Sequence, residues 1–226
     1  PMPRMRLYTN LASYMEVASS ILSGNVYDGC DVKKFTDSVA EYTGMQFAIA
    51  MPQARVGIYL TIKEFVRPGG KVILSPYTIS EVVNMVVAAG AIPIFADIDR
   101  ETCNISPTSV AALIDTDTCA VLVTHFYGLA CEVDKIMSIC KPRGIPVIED
   151  AAQAFGTRIN GQCAGALADV GIFSFGMIKS VTSFNGGMVV TNDESIANKI
   201  QSEVNKFPAI EILSLLKKAL KAFIMD

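Results

Sequence analysis

Apolar residues in this chain fall into two rhythms. Short, continuous apolar or β-rich runs recur through the middle: Ala48–Met51, Lys71–Leu74, Ile92–Phe95, Ala120–Thr124, Pro146–Ile148, Val170–Phe173 and Gly187–Thr191. Runs without polar alternation are what strands show when both faces are covered. Between the earlier runs, wider spacing predicts helices over about 54–66, 79–89, 106–114 and 132–142. Turn residues punctuate the alternation. Pro68-Gly69-Gly70 and Lys141-Pro142-Arg143-Gly144 each separate a helical stretch from the next strand. Strand–helix repetition of this kind predicts an α/β, three-layer sandwich with a mostly parallel central sheet.

The ends of the chain read differently. Residues 1–45 predict one or two helices, Leu11–Leu22 and Val32–Tyr42, joined by a glycine-containing loop. After Pro208, in EILSLLKKALKAFIMD, residues Ile212, Leu216, Leu220 and Phe223 share a helical face, and Lys217, Lys218 and Lys221 lie opposite or beside it. That face suits packing on a following domain, and the lysines leave attachment to a membrane surface open. The chain stops within this helix without a capping signal, so a truncated protein is expected. No internal repeat or low-complexity tract interrupts the pattern.

Composition narrows the function. The 226 residues are 51% hydrophobic and 18% charged, enough for a sizeable core. A net charge of −3 argues against a nucleic-acid partner, which needs a concentrated basic face. Six cysteines at 30, 103, 119, 131, 140 and 163 include no C-x-x-C pair, and His125 stands alone, so a metal site lacks ligands at useful spacing. The N-terminal PMPRMRLYTN has no apolar signal region, which favours reduced thiols and a cytoplasmic location. The longest apolar run, Met85 to Ala96, contains Gly90 and Pro93 and falls short of the roughly 20 residues of an integral membrane span.

The chemistry concentrates between Ile145 and Thr191. IPVIED ends a strand on Glu149 and Asp150, and ligands of open α/β sheets gather at strand carboxyl ends. A second strand ends at Ser174, and Lys179 follows in FSFGMIKSVTSFNGG, ahead of a Ser/Thr/Gly-rich loop. A lysine amine forms an imine with an aldehyde, a hydroxyl binds phosphate, and a buried carboxylate keeps a pyridine nitrogen protonated. Pyridoxal 5'-phosphate (PLP) needs all three. Burial would also lower the lysine pKa and leave some amine nucleophilic. On spacing alone, an ordinary strand-end aspartate, a loop serine and an exposed lysine remain the alternative.

VIEDAAQAFGT, GIFSFGMIK, NGGMVVTND, AVLVTHFYG and KVILSPYTISEVVNMVVAAGAIPIFADIDRETCNISP resemble the DegT/DnrJ/EryC1/StrS family of sugar aminotransferases, within the fold-type I PLP enzymes. The resemblance runs in register from about Tyr42 to Ile200. It implies that Lys179 is the Schiff-base lysine and Asp150 the partner of the pyridine nitrogen. Gln153 matches the His/Gln packed near the ring, and Ser174 the serine on the cofactor phosphate. Two positions depart from the family. In MPQARVGIYL, Ala54 replaces the usual threonine of the phosphate-binding turn, with Arg55 beside it. A helix N-terminus still binds anions through its N–H groups, and Arg55 adds a charge. Ile79 stands where an aromatic ring usually stacks on the pyridine, with Tyr77 nearby as a substitute. His125 reads as structural. Asn185, where relatives often carry Glu, shapes the loop after Lys179, and Asp97 and Asp99 read as turn carboxylates.

The resemblance implies an N-terminal helical segment over 1–30, a PLP-binding large domain over 31–207, and over 208–226 the start of a helix leading to an absent C-terminal domain. It also implies a homodimer and a transaminase with a keto sugar nucleotide and an amino acid, such as glutamate, as substrates. A dehydratase of the same family carries histidine in place of the lysine, so Lys179 counts against that alternative. A non-catalytic PLP-fold binding or regulatory module is the alternative from another class.

Overall fold

The structure, a computed structural model, describes residues 10–23, 30–208 and 211–225. The predicted loop between the first two helices and the N-terminal decapeptide, Asn10 excepted, lie outside them. The first helix, α1 (Leu11–Leu22), starts at Asn10, whose side chain accepts from the N–H of Ser13. Next come α2 (Cys30–Thr43), β1 (Phe47–Met51), α3 (Ala54–Phe65), β2 (Lys71–Leu74), α4 (Ser80–Ala88), β3 (Ile92–Phe95) and α5 (Pro107–Leu113). The chain continues through β4 (Thr118–Thr124), α6 (Val133–Cys140), β5 (Val147–Asp150), a small hairpin of β6 (Arg158–Ile159) and β7 (Gln162–Cys163), β8 (Val170–Ser174) and β9 (Gly187–Thr191). It closes with α7 (Glu194–Val204) and α8 (Ile212–Met225).

Seven strands form one sheet in the order β1-β9-β8-β5-β4-β2-β3. Strand β9 runs antiparallel to both neighbours, and the other pairings are parallel. The sheet is covered on both sides, which is why its strands read as unbroken apolar runs. On one face Ile58, Leu60 and Ile62 of α3 pack with Val72, Leu74, Leu122, Ile148, Ile172 and Val189. On the other, Val110 and Ile136 pack with Ile73, Val121, Val123 and Val147. Each such side chain contributes about 1.5–3 kcal/mol on burial, and all seven residues of β4 are buried.

Several elements differ from the sequence pattern. Strand β5 covers Val147–Asp150 rather than Pro146–Ile148, so both carboxylates sit inside the ladder, with Val123 opposite Glu149 and Thr124 opposite Asp150. The β6–β7 hairpin and helix α7 are additions. The hairpin turns on Asn160 and Gly161, at φ 51° and 84°. These left-handed values suit an Asn-Gly turn.

At the C-terminal end, α8 packs on α1: the Phe223 ring meets Tyr14 edge-on at 5.4 Å. Among the described residues, no helix is long and apolar enough to cross a membrane.

Candidate active site

Parallel strands β4, β5 and β8 end side by side, and the loops leaving them, with the loop after β2, enclose a cleft of about 550 Å³. Its walls include Lys179, Asp150, Gln153, Thr124, Tyr77, Ile79, Phe126, Tyr127 and Ile178. Four of the residues singled out in the sequence (Lys179, Asp150, Gln153 and Ile79) therefore share one cleft. Ser174, Ala54 and Arg55 are not among its walls and form a separate, neighbouring arrangement.

Asp150 is buried, and its described hydrogen bond is from the N–H of Ala152 at 3.0 Å. Burial raises its carboxyl above the ordinary carboxylate value, while the Ala152 N–H and the charge of Lys179 pull the other way. A carboxylate so sparsely solvated at a cleft wall is matched by a ligand that brings an N–H or a positive charge. The native state thus holds the Asp150 proton more tightly than the unfolded chain does. This group's contribution to stability is full below the unfolded value and falls as pH rises toward the raised one. At neutral pH the cofactor-free protein bears that cost, so Asp150→Asn is expected to raise its melting temperature. The gain should vanish below about pH 4, where the unfolded-state carboxyl is itself protonated. Thermal melts of the two proteins at neutral and acid pH check this; an unchanged or lower neutral melt overturns it.

Lys179 is half-buried, in the loop that joins β8 to β9. Its N–H donates to the Gly176 carbonyl at 3.0 Å, and the loop closes through Phe175 N–H to Gly186 O and Ser183 N–H to Phe175 O, each 3.0 Å. Ser174 pairs with Gly187 across the β8–β9 ladder. Gly187 leaves no room for a side chain, because a Cβ there would lie 2.6 Å from the Ala54 nitrogen. The start of α3 is thereby drawn against the end of β8. Its N-cap residue Gln53 makes no side-chain cap, so the first-turn N–H groups of α3 face outward without that partner. An uncapped helix start beside a serine fits a phosphate, and losing the threonine at Ala54 does not remove backbone donors. Arg55 is exposed on the same first turn.

The apolar wall is aromatic. Tyr77 packs on Phe126 with ring centroids 4.4 Å apart and planes tilted by 38°, and Phe126 meets Tyr127 edge-on at 4.4 Å. Tyr77 and Ile79 are both exposed at the cleft mouth. Tyr127 holds φ 49° and ψ 30°, a left-handed conformation costly for an aromatic residue, and the next carbonyl, Gly128, accepts from the Thr157 hydroxyl at 3.0 Å. Sequence reasoning missed Phe126 and Tyr127 as cleft residues, although the polar-aromatic HFYG directly after β4 was the available signal.

Glu149 points to the other face of the sheet from Asp150, as alternation along a strand requires. His125 sits with it, fully buried, its Nε2 2.8 Å from Glu149 Oε2 while its Nδ1 accepts from the Cys131 N–H at 3.0 Å. An acceptor Nδ1 places the proton on Nε2, so the ring is a donor to Glu149. His125 thus belongs to the support beneath the site. Asp99 Oδ1 accepts from Glu101 N–H, Thr102 N–H and the Thr102 hydroxyl, a turn arrangement that holds its carboxyl below the ordinary value, the Thr102 backbone bond foremost. Among the described residues no His/Cys/Asp/Glu group is placed to hold a metal, and all six thiols are unpaired. A hollow of about 610 Å³ lies at the opposite ends of the strands, but its carboxylates already serve the fold: Asp169 accepts from Val147 N–H and Asp193 caps α7.

Residues 11–207 match the DegT/DnrJ/EryC1/StrS aminotransferase family. The spore coat polysaccharide biosynthesis protein SpsC of Bacillus subtilis is 36% identical over 187 residues, covering 82% of this chain and 48% of that protein. The GDP-perosamine synthase of Vibrio cholerae is 35% identical over 169 residues, 74% of this chain and 46% of that enzyme. The structure of DesI with its TDP-sugar product superposes with a TM-score of 0.81 at 31% identity, over 89% of this chain and 52% of that one. The chain belongs to this family of sugar aminotransferases and has the fold-type I large-domain architecture. The family's cofactor is pyridoxal phosphate. The chain spans about half the length of the curated relatives it matches.

Proposed function

We propose that this chain is the cofactor-binding part of a PLP-dependent transaminase that moves an amino group from an amino acid, glutamate foremost, to a keto sugar nucleotide. The observation that carries this reading is Lys179 and the buried Asp150 lining one cleft at the strand carboxyl ends. When bound, PLP supplies an electron sink for the substrate carbon that loses its proton. The remaining work falls to the chain's own residues. Asp150 holds the proton of the ring nitrogen, and its burial keeps that interaction out of competition with water. Lys179 would supply the amine that anchors the cofactor and a base placed to hold or move a proton within the cleft. Ser174, the α3 N-terminus and Arg55 hold the phosphate, and Gln153 packs beside the ring. Tyr77, Ile79 and Phe126 form the apolar wall that excludes water.

The relatives support the substrate class by what their names state: polysaccharide biosynthesis, a GDP-perosamine synthase and a bound TDP-sugar product. On this reading the protein works in polysaccharide, lipopolysaccharide or antibiotic-sugar biosynthesis as a cytoplasmic homodimer. The test is to add PLP to the full protein, record the near-visible band of a lysine-bound cofactor, and bleach it with borohydride. Glutamate and a panel of keto sugar nucleotides then follow turnover. A borohydride-sensitive band together with amino-sugar formation is expected; no band after PLP addition sinks the proposal.

A further inference from the structure

Any cofactor held at both ends needs those ends kept at a fixed separation, and one side chain bridges the two supporting segments. The loop that carries Lys179 makes most of its described hydrogen bonds within itself. Besides the backbone closures, Thr182 Oγ1 donates to Phe175 O, Phe184 N–H to Thr182 Oγ1, and Ser183 Oγ to Asn185 O at 2.6 Å. Asn185 reaches outside the loop: its Nδ2 donates to the Pro52 carbonyl at 3.0 Å. Pro52 opens the turn that leads through Gln53 into Ala54 and the uncapped start of α3. One residue further on, Gly186 forms a parallel bridge with Gln53. Phe184, just before Asn185, holds φ 62° and Gly186 φ 111°, so the loop is bent sharply to deliver this amide.

We propose that Asn185 is a positioning residue that clasps the lysine loop to the phosphate-binding end of α3 and so sets the distance between the two attachment points of the cofactor. This rests on the cofactor reading proposed above. In this chain the contact with the Pro52 carbonyl requires a donor. A carbonyl accepts only from a donor, and a carboxylate at this position has no proton to give. The clasp acts through geometry alone, since its hydrogen bond is to backbone. It should therefore matter for a ligand anchored at both ends and not for one anchored only at the lysine.

The experiment compares PLP with pyridoxal, which lacks the phosphate. Cofactor-free full protein and its Asn185→Ala, Asn185→Asp and Asn185→Gln variants are titrated with each compound, following the near-visible band, and melted without ligand. Asn185→Ala is expected to weaken PLP about tenfold, the worth of one hydrogen bond, while pyridoxal changes less than about twofold. Asn185→Asp, which also lacks the donor, should weaken PLP comparably, and Asn185→Gln, which keeps a donor, should recover part of the loss. Equal weakening of both compounds, or no change in either, overturns the clasp. Asn185→Gln retains a side-chain amide and gives the same comparison if the alanine variant does not fold. Failure of the unaltered protein to bind PLP counts against the proposed function; normal PLP binding by every variant counts against the clasp alone.

Discussion

Replacing Lys179 with alanine is expected to remove the borohydride-fixable cofactor and to lower turnover by at least about 10³-fold. Two losses combine. Among the described residues no other lysine lines the cleft, so none of them there can substitute as the covalent anchor. Proton transfer by a positioned group is itself worth about 10²–10⁴-fold. A further electrostatic consequence follows. The charge of Lys179 is one of the influences that lower the Asp150 carboxyl against its burial, so its removal lets burial push Asp150 further up. Lys179→Arg separates the two effects. It restores a positive charge near Asp150 and cannot make the covalent link. Both variants should lose the label after borohydride, read by mass spectrometry of the peptide containing residue 179, whereas the alanine variant alone should change the pH dependence of residual PLP binding. A label that survives in either variant places the anchor at another lysine.

The continuous apolar runs made the sheet legible, and β2, β3 and β9 fall on the predicted residues. What the runs did not carry was direction. Strand β9 looks like the parallel-paired strands of the sheet because it is buried on both faces as they are, and antiparallel pairing leaves no mark on such a pattern. The apolar run stops at Ile148, while the strand ends on Glu149 and Asp150 as IPVIED predicts, because each carboxylate has its own buried environment. Period-two alternation sends them to opposite faces and tells the cleft carboxylate from the buried structural one. The Asn160-Gly161 turn of the small hairpin was in plain sight, and so was Asp193 as the cap of α7. Lys179, Asp150, Gln153 and Ile79 were legible through resemblance, and the cleft holds all four. Tyr127 was not, since its left-handed backbone is set by contacts distant in sequence, such as Thr157 on the carbonyl of Gly128.

The largest effect on stability is expected one residue before Asp150. Glu149 is fully buried, and four donors surround it. Its Oε1 accepts from the N–H groups of Leu167 and Ala168, each at 2.7 Å, and its Oε2 from Gly165 N–H and His125 Nε2, each at 2.8 Å. This cage folds the segment before β8 against β5, where packing is tight enough that a side chain at Gly171 would overlap the Gly165 carbonyl. Glu149→Ala strands three backbone N–H groups and the imidazole in the core. At about 1–3 kcal/mol for each unsatisfied donor, the sum approaches the whole stability of about 5–15 kcal/mol of an ordinary domain, so little folded protein is expected. Glu149→Gln is the sharper probe. Its shape is the same, yet its NH₂ group faces donors where an oxygen accepted two bonds, and a loss of about 2–6 kcal/mol follows for two donors left unsatisfied. Urea unfolding of the cofactor-free protein measures it, and a Glu149→Gln unfolding free energy that stays within about 1 kcal/mol of the parent means that the cage does not hold the fold. Asp150 sits on the same short strand but faces the cleft, so any loss of PLP binding in Glu149→Gln should track the unfolded fraction and disappear when folded protein alone is titrated. Reduced affinity in the folded fraction would instead make Glu149 part of the positioning of Asp150.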